Sequence, residues 1–195
     1  MNAPARPLDI MPKAVPMTAA AFDALVQQGH FEADPNVYEL IDGAMVMVPP
    51  PGSDHEFVTG RVLDAIADGL RNAGLRAGAE LIPNGALEID SANLVSPDFM
   101  LGPRRTSPRR WTAEELFLVV EIAWSSRTFD TQDKARLYAR AGVADYWVLD
   151  IPAKTVLVHR APVDGIFTSL QAFEAPAAIE PLRAPGMRVA VADLF

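Results

Sequence analysis

The sequence has no cysteine among its 195 residues, which excludes disulfide bonds, zinc sites built from thiolates and thiol nucleophiles. The same absence fits a reducing compartment, so we expect a cytoplasmic protein. Runs of about eighteen apolar residues are also missing, and we therefore expect no membrane span. Residues 1–16 are rich in proline and have no apolar centre, which predicts a flexible tail and not a signal peptide. Residues 17–195 suffice for a single domain with a substantial core.

Lysine is scarce: the chain has three lysines, fourteen arginines and 25 acidic residues, and its net charge is -8. This excess of negative charge disfavours general nucleic-acid binding, because neutralised phosphates supply most of that affinity. One segment, RRTSPRR, nevertheless concentrates positive charge, at Arg104, Arg105, Arg109 and Arg110. It is either a solvated loop or a local patch that binds nucleic acid, and the sequence leaves both interpretations open.

Hydrophobic periodicity predicts alternating helices and strands without an internal repeat. The helices are predicted at 17–29 with Thr18 as N-cap, at 53–73 from a capping box of Ser53 and Glu56, and at 130–141 up to Gly142. The second helix should bury an apolar stripe formed by Phe57, Val58, Leu63, Ile66 and Leu70.

The predicted strands are a hairpin over 37–48 that turns at Asp42-Gly43, then 75–81, 85–89, 99–101, an apolar run from Leu116, 145–150 and 155–160. The last two should pair with each other. One mixed sheet with helices packed on it is the simplest architecture, which gives an α/β fold class with an α+β mixed sheet.

The apolar run LFLVVEIAWSS contains one carboxylate, Glu121. A charge on a strand buried on both faces is costly unless a donor, a partner or a metal compensates it. Asp98 follows Pro97, which suggests a strand edge or start, and Glu39 is a third strand-associated acid. Two carboxylates at one end of a sheet repel each other unless a cation lies between them, and oxygen ligands favour Mg²⁺. Each carboxylate alone is better explained as a cap or an ion pair, so the metal hypothesis depends on their combination.

The order of these motifs resembles the PD-(D/E)XK nuclease superfamily and, more specifically, the Uma-two family of restriction-endonuclease-like proteins. The resemblance extends from about Thr18 to Arg160, and it is carried by YELIDG, His55, SPD, VVEIAWSS and FDTQDKARLYARAGVADYWVLD. The last of these segments is the most specific.

This resemblance implies a restriction-endonuclease-like core, with helices flanking a central mixed sheet, and an endonuclease that hydrolyses DNA with Mg²⁺ or Mn²⁺. Matched motif to motif, Asp98 and Glu121 would hold the metal, and Glu39 would be a further acidic ligand or would position water. A homodimer is left open.

The sequence departs from the superfamily pattern at Ala123, where a lysine is expected two residues after the acid. The resemblance implies that Lys134 on the next helix takes this catalytic role. The alternative is an exposed lysine paired with Asp130 four residues earlier, worth only about 0.2–0.5 kcal/mol. His55 is a weaker candidate for the same site, and Tyr146 is expected in the core together with Trp147.

Two function classes follow. The first is a DNA endonuclease with the catalytic set Glu39, Asp98, Glu121 and Lys134, and the three acids favour it. The second is a catalytically silent nuclease-fold protein with a regulatory or scaffold role. The net acidity and the missing strand lysine favour the second class.

Overall fold

A computed structural model of the protein describes residues 15–31 and 37–195, so residues 1–14 of the predicted tail lie outside the described residues. The helices are α1 (Ala19–Gln27), α2 (Ser53–Asn72) and α3 (Ala135–Arg140), and a π-helical segment, Phe129–Lys134, leads directly into α3. The strands are β1 (Val37–Ile41), β2 (Ala44–Val48), β3 (Ala79–Pro83), β4 (Leu87–Asp90), β5 (Asn93–Val95), β6 (Phe99–Pro103), β7 (Trp111–Thr112), β8 (Leu118–Ala123), β9 (Asp145–Asp150), β10 (Thr155–Val163), β11 (Ile166–Phe173), β12 (Ala178–Ile179) and β13 (Val189–Ala190).

The largest sheet has six strands in the order β11-β10-β9-β8-β6-β3. Its central pair, β8 and β9, is parallel and its other pairs are antiparallel, so it is the predicted mixed sheet. A second sheet has five strands in the order β2-β1-β5-β4-β7, and it includes the first two strands, β1 and β2. The separation into two sheets does not follow from the sequence pattern, because periodicity predicts a strand but not its partner. Strands β12 and β13 form a short ladder of their own.

The six-stranded sheet is covered by helices on both faces, as predicted. Helix α2 packs its buried residues against one face, and α3 packs against the other. Alternation along β8 therefore sends its side chains into two cores. Val120 and Ile122 belong to the core under α2, whereas Val119 and Ala123 belong to the core under α3. Glu121 shares the parity of Val119 and Ala123, so its carboxylate lies on the α3 face.

The predicted hairpin is present, and both of its turn residues have positive φ. Asp42 has φ 47° and Gly43 has φ 76°, the combination required by a two-residue type I′ turn. Gly43 also allows a close approach, since a Cβ atom there would clash with the Cβ atom of Pro16. The turn fixes the register that places Glu39 opposite Val46.

Two details of α2 differ from the prediction. The helix begins at Ser53, and its N-cap is Gly52, which has no side chain that could cap it. The predicted capping box of Ser53 and Glu56 is therefore wrong. Phe57 and Leu63 are 60% and 45% exposed. The buried stripe runs instead through residues spaced four apart, which keeps it on one helix face: Val58, Val62, Ile66 and Leu70.

The bounds of other elements also differ from the predicted ones. The third helix is π-helical up to Lys134 and α-helical only from Ala135. The strand predicted at 75–81 begins at Ala79, because residues 75–78 form a turn closed by a bond from Gly78 N to Leu75 O of 3.0 Å. Thr18 caps α1 as predicted, with its hydroxyl accepting from Ala21 N. No helix in the described part of the chain has the length and apolar character needed to cross a membrane.

His159 on β10 is a buried titratable residue in an aromatic environment. Its ring lies 5.3 Å from the ring of Tyr146 and 5.6 Å from that of Phe167, measured between centroids. Among the described residues, its Nε2 atom has no hydrogen-bond partner. Burial lowers the pKa of His159 from 6.5 to about 4, so the folded chain favours the neutral imidazole.

We predict that His159 makes the protein less stable as the pH falls from 6.5 towards 4, because the unfolded chain then binds a proton that the folded chain excludes. The loss should be roughly 1–3 kcal/mol, at about 1.4 kcal/mol per pKa unit. Urea unfolding across this pH range measures it, and the difference between wild type and His159→Phe isolates it.

His30→Gln, which removes an exposed histidine, is the matched control. If wild type and His159→Phe lost stability in parallel over this pH range, the prediction would be contradicted.

Candidate active site

The two carboxylates expected at one end of the sheet do meet there. Asp98 directly precedes β6, and the antiparallel register of Phe99 with Val120 sets Asp98 opposite Glu121 on β8. Asp98 Oδ2 accepts a bond of 2.7 Å from Ile122 N, and Asp98 N donates to Glu121 Oε2 at 3.4 Å. The side chain of Asp98 is 20% exposed, whereas Glu121 is buried.

Glu39 reaches the same place from the second sheet. It is buried on β1, and its Oε1 atom accepts from Ser96 N at 2.9 Å and from Lys134 Nζ at 3.2 Å. Its Oε2 atom is buried and has no hydrogen-bond partner within the described chain. A buried carboxylate oxygen without a donor is unusual, and it is a feature that a bound cation would explain.

Lys134 lies at the end of the π-helical segment and is buried between two carboxylates. Its Nζ atom lies 2.8 Å from Glu121 Oε1 and 3.2 Å from Glu39 Oε1. A π-helix brings residues five apart together, and the ring of Phe129 lies 5.8 Å from this ammonium. Lys134 is therefore not an exposed surface lysine. Asp130, the partner that a surface lysine would have had, is itself buried and accepts from Ser126 Oγ at 2.6 Å.

Negative charge exceeds positive charge in this network. Burial raises the pKa of Glu121 above its ordinary value, and the ammonium of Lys134 opposes that rise. Burial alone would lower the pKa of Lys134, but Glu121 and Glu39 more than offset this effect and hold it above its ordinary value. Burial also raises the pKa of Asp130 to about 6. One ammonium thus faces several carboxylates, and a further cation would relieve their repulsion.

Two residues with weak or no functional signal in the sequence also touch the acids. His55 Nε2 lies 3.2 Å from Asp98 Oδ1, and this hydrogen bond raises the pKa of His55. Tyr138, on α3, donates its hydroxyl to Glu121 Oε1 at 2.7 Å. The sequence signal that could have placed Tyr138 at the site is its spacing of four residues from Lys134, because residues four apart lie on the same helix face.

The donors suit a hard divalent cation. Asp98 and Glu121 offer carboxylate oxygens, and Mg²⁺ usually takes one or two carboxylates while keeping several waters. Across the residues that the structure describes, no group of three or more His, Asp or Glu side chains forms a ready metal cluster. Two carboxylates with room for water would suit an ion that keeps much of its hydration shell.

The acids line a cleft of about 820 Å³. One wall comes from the β1–β2 hairpin and the proline run that follows it, and another from the loop after β8, including Trp124. The start of α2 contributes His55. Glu39, Asp98, Glu121 and Lys134 all line this cleft, so the four predicted catalytic residues are together.

The arginine segment lies elsewhere and is largely ion-paired. Arg105 and Arg109 bind Glu115, and Arg109 lowers the pKa of Glu115 to about 2. Arg105 also lies over the ring of Trp111, and the remaining two arginines contact other parts of the chain: Arg110 binds Asp23 and Glu88, and Arg104 donates to Arg76 O.

This segment follows the end of β6, whereas Asp98 precedes its start. With five residues in β6 and about 3.3 Å per residue, the two ends lie roughly 17 Å apart. The arginines thus do not line the cleft, and any contact they make with nucleic acid lies at a distance from the acids.

Comparison with known proteins supports a nuclease-like identity. A family model described as "Uma2: Putative restriction endonuclease" matches residues 21–192. The chain is also similar to a solved structure described as a putative nuclease belonging to DUF820 from Anabaena variabilis ATCC 29413. That pair shares 19% identity with a TM-score of 0.71, and the alignment covers 92% of this chain and 98% of that chain. At this identity the likeness concerns the fold, and it confirms the predicted fold class. No curated protein matches the sequence.

We expect the buried ammonium of Lys134 to stabilise the fold more than the buried hydroxyl of Tyr138 does. Lys134→Met and Tyr138→Phe each remove one donor to Glu121 Oε1 and keep most of the side-chain volume. We predict that Tyr138→Phe lowers the free energy of unfolding by about 1–3 kcal/mol, because a buried acceptor loses a donor. Lys134→Met should lower it by about 3–5 kcal/mol, because two buried carboxylates lose their cation.

Urea unfolding without divalent metal measures both losses. Arg136→Met is the control, since it removes a cation from the exposed face of the same helix. A loss for Lys134→Met no greater than that for Arg136→Met would contradict the assignment of a buried ion pair.

Proposed function

This chain belongs to the Uma2 family, and we propose from that premise that it is a Mg²⁺-dependent endonuclease that hydrolyses phosphodiester bonds in DNA. One observation carries the proposal: three carboxylates and one ammonium, from separate parts of the chain, converge on one cleft. These groups belong to Glu39, Asp98, Glu121 and Lys134. Glu39 and Lys134 are 95 positions apart in sequence, so local folding alone does not explain their contact.

Asp98 and Glu121 are the proposed ligands of Mg²⁺ or Mn²⁺. Glu121 Oε2 accepts only the 3.4 Å bond from Asp98 N among the contacts of the described residues, so it retains capacity for a cation. The Asp98 carboxylate is partly exposed to the cleft, which gives such a cation access. A metal bound there would lower the pKa of an attacking water and stabilise the leaving oxygen.

The other residues have positioning and electrostatic roles in this proposal. Lys134 and Tyr138 both donate to Glu121 Oε1, so they orient that carboxylate with its Oε2 atom towards Asp98. The ammonium also offsets negative charge that develops on the phosphoryl group. His55 holds the Asp98 carboxylate from the first turn of α2. Glu39 is a further acidic ligand or orients the water.

The alternative function is a catalytically silent nuclease-fold protein with a regulatory or scaffold role. The ion pairing of the arginine segment and the net charge of -8 favour it. The cytoplasmic location, the single domain over residues 17–195 and a homodimer stay predictions from the sequence and the resemblance.

Plasmid cleavage distinguishes the two functions. We expect wild type to cleave supercoiled plasmid with Mg²⁺ or Mn²⁺ and to lose this activity in EDTA. Asp98→Asn keeps the side-chain shape but removes a ligand charge, so the rate should fall by about 10²–10³-fold, equivalent to roughly 3–4 kcal/mol of transition-state stabilisation. Calorimetric titration with Mn²⁺ should show weaker binding in the same variant.

Asp68→Asn is the matched control, since Asp68 is an exposed residue of α2 that pairs with Arg71. It should cleave at the wild-type rate. A folded wild type that binds Mn²⁺ and leaves every plasmid intact would favour the silent alternative.

The arginine segment is proposed as a second contact with DNA, outside the cleft. Arg104 and Arg109 are its exposed arginines, so their joint replacement by Ala spares the more buried Arg105 and Arg110. We expect weaker DNA binding and a dependence of log Kd on log salt that is shallower by about 2, because each arginine removed leaves one phosphate without its counter-charge.

Arg71→Ala combined with Arg188→Ala removes the same charge from exposed positions near the end of α2 and serves as the control. Fluorescence anisotropy at several salt concentrations gives both slopes. Equal slopes for the two double variants would remove the arginine segment from the interface.

A further inference from the structure

Trp124 is a large aromatic residue exposed at the wall of the cleft. It directly follows β8, three residues after Glu121, and 51% of its surface is accessible. The other two tryptophans are buried, with Trp111 at 6% and Trp147 at 1% exposure. An exposed indole beside the candidate catalytic acids is available to contact whatever enters the cleft.

The charges of the cleft do not suit a duplex held by its phosphates. Carboxylates line it at six positions: Glu39, Asp54, Glu56, Asp98, Glu121 and Asp130. Of the described lining residues, only Lys134 and His55 can carry positive charge, and both already contact carboxylates. Binding through the phosphate backbone requires Lys or Arg side chains that are free to neutralise it. Apart from the charge of the proposed divalent cation, affinity inside the cleft therefore comes from its apolar and aromatic surface.

That surface comes from two parts of the chain. Met47 and Pro50 contribute from the hairpin wall, and Trp124 and Phe129 contribute from the side of β8 and the π-helical segment. The volume of about 820 Å³ lies within the roughly 300–1,000 Å³ of sites that enclose small molecules. A space of this size and character suits unpaired nucleotides whose bases stack on aromatic rings.

We propose that Trp124 is a stacking platform for an unpaired base next to the scissile phosphate, so that the site acts on single-stranded or locally unpaired DNA. This inference rests on the proposed function, because it assigns the substrate class of the same site. Stacking tolerates any base, since every base has a π face. The loss of one stacked base weakens binding by roughly 5- to 150-fold.

The test compares a short thymidine oligomer with a duplex of the same length, both in EDTA so that binding is measured without cleavage. Since Trp111 and Trp147 are buried, quenching of tryptophan emission by the oligomer reports on Trp124. We expect the oligomer to bind wild type more tightly than the duplex does and to quench the emission.

Fluorescence anisotropy of the labelled strands then compares variants. Trp124→Leu should bind the oligomer roughly 5- to 150-fold more weakly and should bind the duplex as wild type does. Trp124→Tyr keeps an aromatic face and should retain most of the affinity for the oligomer. Because Trp124 is half-exposed, both variants should fold.

Equal affinity of wild type and Trp124→Leu for the oligomer would overturn this inference, whether or not the protein cleaves plasmid. A dimer that dissociates in Trp124→Leu, with unchanged oligomer affinity, would also overturn it, because the indole would then be a protein contact. Failure of the proposed function looks different: no metal-dependent cleavage would be seen, while Trp124-dependent binding of the oligomer would persist and support the stacking role.

Discussion

One buried ammonium connects the parts of this structure. Lys134 Nζ contacts Glu39 on the five-stranded sheet and Glu121 on the six-stranded sheet, and it comes from the π-helical segment. Without it, two buried carboxylates would face each other with no compensating charge in a medium of low dielectric. This side chain orients Glu121, and together with the apolar core shared by the two sheets it contributes to their docking. The architecture and the candidate chemistry therefore cannot be separated.

Much of the fold followed from local patterns in the sequence. The Asp42-Gly43 turn, the Thr18 cap and the strand over 145–150 each have a signature within a few residues, and each is present. The need for a partner at Glu121 also followed from the local sequence, because a carboxylate on a strand buried on both faces is costly unless it is compensated. The identity of that partner did not follow from the strand. The identity of the partner came from the resemblance, which implies a role for Lys134.

Interactions between distant residues explain what the sequence analysis missed. Arg110 binds Asp23, which lies 87 positions earlier, so the ion pairing of the arginine segment was invisible in the segment itself. Asp130 and Lys134 have the spacing of a surface ion pair on an α-helix, but the backbone there is π-helical and both side chains are buried. The separation of the strands into two sheets depends on pairings such as Leu40 with Leu94, which no local periodicity encodes.

The placement of lysine on a helix also limits how such a sequence can change during evolution. Ala123 is fully buried on the same face of β8 as Glu121, so a second lysine there would bury another ammonium in the core under α3. If instead Lys134 were replaced before a lysine arose on the strand, Glu39 and Glu121 would be left without a cation. Each single step is therefore expected to destabilise the fold. A search pattern that demands lysine on the strand will pass over proteins of this kind.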